Sequence, residues 1–143
     1  MKAQEFLEQY KTQQTIIASC WEEVAKWKDI ALSVTGSTEG ERVQSSGSKQ
    51  KMADAVISYS DIEADIKRRI AEARAIQNDI LKKIARLSEP EYYVLHNVYI
   101  LGKQYKEVAA SRKPSMSKSW ATSMHGTALA NLQKILDAEN KNA

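Results

Sequence analysis

One long apolar stripe constrains the fold of this chain more than any other feature of its sequence. Between residues 52 and 87, apolar side chains recur every three or four positions, which is the spacing of one face of a long helix. They are Met52, Val56, Tyr59, Ile62, Ile66, Ile70, Ala73, Ile76, Ile80, Ile84 and Leu87. Because such a stripe is unfavourable in water, a second element must cover it.

A weaker stripe near the N-terminus supplies the covering element. Its positions are Phe6, Tyr10, Ile17, Trp21, Val24, Ala31 and Val34. The two stripes predict a long antiparallel helical hairpin over residues 1–87, in which each helix covers the other in coiled-coil fashion. Cys20 lies beside this stripe, so we expect a packed thiol rather than a reactive one.

The segment between the stripes, residues 33–51, is rich in Ser, Gly and Thr and predicts a long loop. Its basic residues, Arg42, Lys49 and Lys51, are suited to contact with phosphate or an acidic surface. A connector with ordinary surface charges is the simpler explanation and is favoured over a binding role. The sequence therefore assigns no role to this loop.

The composition favours an all-α protein, since only five Gly and two Pro occur in 143 residues. No apolar run is long enough to cross a membrane, and the N-terminus lacks the apolar core of a signal peptide. One cysteine leaves no internal disulfide, as is usual in a reducing compartment. We therefore expect a cytoplasmic protein with no membrane contact.

Residues 88–143 predict a second module of shorter helices. Ser88 and Glu91 have the spacing of a capping box, Pro90 is tolerated in a first turn, and Gly102 is suited to end a helix over residues 88–101. A short helix follows, and Pro114 interrupts it. Ser115 or Ser117 then caps a final, longer helix.

The final helix predicts two unlike faces. One face is largely apolar and comprises Trp120, Ala121, Met124, Ala128, Leu132 and Ile135. The other is small and polar, with Lys118, Ser119, Thr122, Ser123 and Gly126. A short helix, a tight turn and a helix with such a face are typical of the helix-turn-helix, whose second helix lies in the major groove of DNA. A polar face that only meets solvent is the alternative, and the residues alone do not choose between them.

The basic excess of the C-terminal half supports nucleic acid as a partner of this module. Lysine is suited to bind guanine or phosphate, and Ser and Thr hydroxyls to bind phosphate or base edges. The candidate DNA-binding residues are Lys103, Lys106, Arg112, Lys113, Ser117, Lys118, Ser119, Thr122 and Ser123. The first four are candidates for flanking phosphates.

Two stretches, "EYYVLHNVYILGKQYKEVAA" and "SKSWATSMHGTALANLQKIL", resemble the C-terminal module of the ArpU-like phage transcription regulators, which is similar to region 4 of sigma factors. "MKAQEFLEQY" and "GERVQSSGSKQKMADAV" resemble members of the same group, so the resemblance covers nearly the whole chain. It implies a cytoplasmic regulator of phage late genes, with residues 117–129 as the recognition helix. Typical members have a shorter turn and basic residues where this chain has Ser119, Ser123 and Thr127, which implies weaker phosphate binding here.

Two functions from different classes follow. The first is a phage-encoded DNA-binding regulator with double-stranded DNA as its partner. The resemblance implies that it activates late genes. The second is a non-enzymatic interaction or assembly adaptor, for phage packaging or for docking to host RNA polymerase, with a degenerate helix-turn-helix. A homodimer is compatible with either. No enzyme, cofactor or metal site is expected, because the two histidines lie on different predicted helices without a ligand cluster.

Overall fold

The computed structural model describes residues 1–36 and 46–142, except for the side chains of residues 34–36 and 46–58. The described residues form five α-helices and one π-helical turn, and they contain no strand. The helices are α1 (Ala3–Gly36), α2 (Ser46–Ile84), α3 (Glu89–Leu95), α4 (Tyr105–Ser111) and α5 (Lys118–Asn142), and the π-helical turn, His96–Ile100, continues α3. The predicted all-α class is therefore confirmed for these residues.

The loop predicted over residues 33–51 is wrong at both of its ends. Helix α1 continues to Gly36, and α2 already begins at Ser46. Adding a residue to an existing helix costs far less than starting one, so Ser and Gly at the ends of two long helices do not stop them. The remainder of the predicted loop, with Arg42, lies outside the described residues.

The chain divides into two compact units. The first combines Met1–Gln14 with Ala75–Ala143, and the second is Thr15–Arg74. The sequence-based boundary lies between residues 87 and 88, whereas these units divide α1 and α2 themselves. The first turns of α1 and the last turns of α2 belong to the same unit as α3, α4 and α5.

The core of the first unit brings together α1, α2, α3 and α5. Its fully buried side chains are Leu7, Ile80, Ile84, Leu95 and Leu132. Burying each of them contributes about 1.5–3 kcal/mol. The apolar stripe of α2 thus lies in a core, as the periodicity predicts for Ile80 and Ile84.

The burial predicted for one position of that stripe is wrong. Ile76 is 39% exposed, and the neighbouring Gln77 is buried in its place. The Gln77 amide donates to the carbonyl of Tyr10 at 3.2 Å and to Oε1 of Gln14 at 3.0 Å. These bonds to α1 satisfy the buried amide, which periodicity alone assigns to the surface.

The second unit has its own core between α1 and α2. Buried side chains here are Ile17, Cys20, Ile66, Ile70 and Ala73. The buried thiol of Cys20 agrees with its predicted packing role, whereas Trp21, predicted on the stripe, is 48% exposed. Trp27, considered from the sequence as a contact for a partner, packs partly buried against this core.

The connection from α3 to α4 is well defined. Pro90 lies in the first turn of α3, and Gly102 has a positive φ of 70°, both as predicted. The predicted capping box is altered, because the Ser88 hydroxyl donates to the Glu91 carboxylate instead of capping a backbone N–H. Leu101, which directly precedes Gly102, is 54% exposed. Among the described residues, no helix carries an apolar stretch of the length that a bilayer requires.

Candidate nucleic-acid interface

Helix α4, the turn of residues 112–117 and the start of α5 hold most of the candidate residues. The turn folds back on α4 through a backbone bond of 2.9 Å from the N–H of Met116 to the carbonyl of Ala109. Ser117 ends the turn, and its Oγ accepts the N–H of Trp120 at 3.1 Å. Ser117 is therefore the N-cap of α5, which was one of the two predicted caps.

Arg112 contacts protein groups on three sides. Its guanidinium donates two hydrogen bonds to the carboxylate of Glu89, one of them 3.1 Å long. It also lies 5.0 Å from the ring centroid of Tyr93 and 5.2 Å from that of Trp120. The hydrogen bonds from Arg112 lower the pKa of the Glu89 carboxyl. Arg112 thus ties the turn to α3 and α5, and this candidate phosphate ligand already has an anionic partner.

Three other candidates converge on one open depression of about 460 Å³. The depression is lined by Val98, Lys103, Gln104, Tyr105, Lys106 and Lys118. The three lysines come from the connection before α4, from α4 itself and from the start of α5. Among the side chains that the structure describes, no carboxylate forms an ion pair with any of them.

The polar face of α5 forms a second, shallower depression beside the first. Its lining residues are Lys118, Ser119, Thr122 and Ser123, all of which are exposed. The hydroxyl of Thr122 donates to the carbonyl of Lys118 at 3.0 Å, which leaves its oxygen able to accept another bond. Lys118 lines both depressions, so it joins the lysines to the small polar face. Lys113 is exposed in the turn but lines neither depression.

A partly buried cluster behind the first depression holds α5 in position. His125 Nε2 lies 2.7 Å from the Tyr99 hydroxyl, and its Nδ1 lies 3.4 Å from the Tyr105 hydroxyl. Burial lowers the pKa of His125 and raises the pKa of Tyr99 to about 12. A neutral imidazole donates one hydrogen bond and accepts another, so it is suited to bridge two hydroxyls. His125 is accordingly a packing residue that joins α5 to the π-helical turn and to α4.

A buried carboxylate fixes the opposite side of α5. Glu91 accepts hydrogen bonds from the hydroxyl of Ser88 and the amide of Asn131. Burial opposes the ionisation of Glu91, but these hydrogen bonds outweigh it and lower its pKa. Glu91 thereby links α3 to α5 and contributes no exposed charge to the interface.

The sequence missed three residues of the first depression as site residues: Val98, Gln104 and Tyr105. Tyr105 is read from the pattern only as an apolar position of α4. No local signal identifies these residues, because they meet Lys118 only when α5 packs against α4 and the π-helical turn.

No family model matches the sequence, and neither a curated protein nor a solved structure does. The relation to phage regulators implied by the sequence therefore stays a prediction. Within the described part of the chain, no three His, Cys, Asp or Glu side chains gather as metal ligands. What the geometry offers is a helix face of small hydrogen-bonding side chains beside three lysines that pair with no carboxylate of the described side chains.

Proposed function

We propose that this protein is a phage-encoded regulator that binds double-stranded DNA and activates transcription of late genes, such as those for packaging and structure. In this proposal α4, residues 112–117 and α5 form a helix-turn-helix of the sigma region 4 kind. The α1–α2 pair forms the hairpin that precedes it. The protein acts in the cytoplasm of the bacterial host, where its DNA target lies.

One observation carries the proposal: the exposed polar face at the start of α5 adjoins unpaired lysines. A recognition helix needs short side chains that let its backbone approach base edges, and Ser119, Thr122 and Ser123 meet this need. Its flanks need positive charge for the phosphates, and Lys103 and Lys106 supply it. A face that only met solvent would not require both properties side by side.

The candidate residues divide into three roles under this proposal. Ser119, Thr122 and Ser123 approach base edges, while Lys103, Lys106, Lys113 and Lys118 contact phosphates. Arg112 and Ser117 hold the turn and the helix start, through Glu89 and the N–H of Trp120. The last two are therefore positioning residues rather than DNA ligands.

Fluorescence anisotropy with labelled duplexes tests the proposal. The protein is titrated with fragments of the genome around its gene and with a random pool, at several salt concentrations. We expect one fragment to bind far more tightly than the pool, with an affinity that falls steeply as salt rises. Replacing Ser119, Thr122 and Ser123 by Ala should remove this preference while leaving binding to the pool. Equal affinity for every fragment at low salt would rule out a sequence-reading role.

A second candidate function is supported by a different observation. Trp21 and Ile16 of the second unit are 48% and 40% exposed, which is unusual for a tryptophan that has no role. An adaptor that docks host RNA polymerase or a packaging protein would use such side chains. A second copy of the chain is a further partner of the same kind. Pull-down of host polymerase by the wild type, and its loss in Trp21→Ala, would support this function with or without DNA binding.

A further inference from the structure

The depression lined by Lys103, Lys106 and Lys118 has the features of a site for one small anion. The three lysines come from three successive pieces of the chain, yet they line the same open space. Like charges that share one depression repel each other, and an anion placed among them reverses that energy. Since no carboxylate of the described side chains pairs with them, these three charges are available to an anionic ligand.

The backbone beneath these lysines is held in a defined shape. The N–H of Lys103 donates to the carbonyl of Asn97 at 2.9 Å, directly after Gly102 with its positive φ. The amide of the buried Asn97 donates in turn to the carbonyl of Tyr93 at 2.8 Å. Lys118 follows the Ser117 cap at the first position of α5. The lysines therefore start from fixed positions, so little backbone ordering is needed when a ligand binds.

The rest of the lining suits a phosphate that carries a sugar. Val98 and Tyr105 supply apolar wall, and the Tyr105 hydroxyl is held near His125 Nδ1. Gln104 supplies an amide that donates hydrogen bonds. A bare inorganic phosphate would contact only the lysines and the Gln104 amide. A nucleotide of a DNA strand would also pack its sugar against Val98 and Tyr105.

We propose that Lys103, Lys106 and Lys118 together hold a single phosphate group of a DNA strand, and that this contact sets the position of α5 in the groove. The inference rests on the proposed function and sharpens it. Lys118 lines both depressions, so a phosphate bound beside it fixes the distance between the strand and the polar face of α5.

The first test uses inorganic phosphate on the full chain. We would record ¹H–¹⁵N NMR spectra during titration with phosphate, and with chloride at the same ionic strength. The three lysines are changed together in K103Q/K106Q/K118Q. The matched control, K82Q/K134Q/K141Q, removes three exposed lysines from α2 and α5 outside the depression. We expect phosphate to shift the amide signals of residues 98–106 and 118 in the wild type and the control but not in the first variant.

The second test counts phosphates on DNA. The logarithm of the binding constant falls with the logarithm of salt concentration by about 0.9 for each phosphate neutralised. A shared phosphate predicts that K103Q/K106Q/K118Q lowers this slope by about 0.9, whereas three separate phosphates predict about 2.7. A shared site also predicts that the single variants are not additive in affinity.

The outcomes separate this inference from the proposed function. Specific phosphate shifts, non-additive single variants and a slope change near one phosphate support the shared site. A slope change near three phosphates with additive single variants overturns it, while DNA binding stands. Unchanged DNA affinity in K103Q/K106Q/K118Q also overturns it. If the wild type binds no DNA, the proposed function fails, and phosphate shifts then assign the depression to free phosphate instead of a strand.

Discussion

The charged side chains of residues 15–74 and those around the start of α5 are arranged in opposite ways. In the second unit three neighbouring cations of α2 are paired: Lys67 with Glu63 at 2.7 Å, Arg68 with Glu72 at 3.0 Å, and Arg69 with Glu23 at 3.2 Å. Around the start of α5, Lys103, Lys106 and Lys118 line one depression, and no carboxylate of the described side chains pairs with them. The two surfaces therefore differ in how their cations are paired.

This difference separates charges that serve the fold from charges that are free to serve a ligand. A cation and an acid paired on an exposed helix surface stabilise the structure slightly and leave little net field. Cations from separate elements that face one depression stabilise no helix and produce a local positive field. Only the second arrangement gives an external phosphate something to bind.

The largest expected effect comes from reversing the charge of Lys118, which lines both depressions at the start of α5. Lys118→Glu should lower DNA affinity by about 100-fold near physiological salt, equivalent to about 2.7 kcal/mol. The fold should not suffer, because an acidic residue is favourable in the first turn of a helix. Anisotropy titration measures the affinity, and thermal unfolding followed by circular dichroism checks the fold.

The matched control for this reversal is Lys134→Glu, on the same helix. Lys134 is exposed, and sixteen positions along α5 place it about 24 Å from Lys118. We expect it to weaken DNA binding by no more than about threefold, which is the effect of net charge alone. Equal losses in both variants would mean that the depression has no special role.

A smaller effect, and one on stability, is expected for Arg112→Gln. This variant loses the hydrogen bonds to Glu89 and the contacts with Tyr93 and Trp120, so the midpoint of thermal unfolding should fall on the order of 5 °C. The DNA affinity of the folded protein should change little. In the Glu89→Gln background the further loss should be smaller, because the two residues act as a pair. An unchanged midpoint with a large loss of affinity would restore Arg112 as a phosphate contact.

Local features of this interface were predictable from sequence, and long-range ones were not. Ser117 caps the helix that follows it, and Gly102 has a positive φ, because both depend on residues within one turn. The role of Arg112 depends on Glu89, which lies 23 positions away. The sequence contains both residues but gives no reason to pair them.

The same limit applies to the helical stripe. Periodicity identifies Ile66, Ile80 and Ile84 as core positions, because burial on one face repeats with the helix. It fails at Ile76 and Gln77, where the hydrogen bonds of a buried amide to α1 decide which side chain faces inward. Such an exchange depends on the partner helix, so a pattern within α2 does not contain it.

Acid should weaken the first unit through His125, with a modest effect. Burial lowers the pKa of His125 in the folded protein, so the unfolded chain binds a proton more readily. The stabilising contribution is therefore complete above the ordinary pKa of 6.5 and declines as pH falls through and below it. The midpoint of unfolding should drop by a few degrees at most between about pH 7.5 and about pH 5.5, and by less in His125→Gln.

His96 needs its own control in that experiment. Burial, and then the charge of Lys103, lower the pKa of His96, so it destabilises the folded state in the same direction. The His96→Gln variant removes the contribution of His96 to the pH dependence of the unfolding midpoint. The pH dependence that remains in this variant comes from His125 and from groups with lower pKa values. A wild-type midpoint that rises with acid would contradict the neutral bridge between Tyr99 and Tyr105.

The smallest effect is expected in the second unit, for Arg68→Gln. Arg68 pairs with Asp65 and Glu72, but all three side chains are more than half exposed, and ion pairs of this kind contribute little to stability. Its charge is already compensated, so its loss should also leave DNA affinity within about twofold of the wild type. The matched variant is Lys118→Gln, which removes one positive charge from the two depressions at the start of α5. Unfolding midpoints and anisotropy titrations of both variants give a direct comparison. If the two variants weakened DNA binding equally, pairing would not distinguish the two surfaces, and the DNA interface would have to extend onto α2.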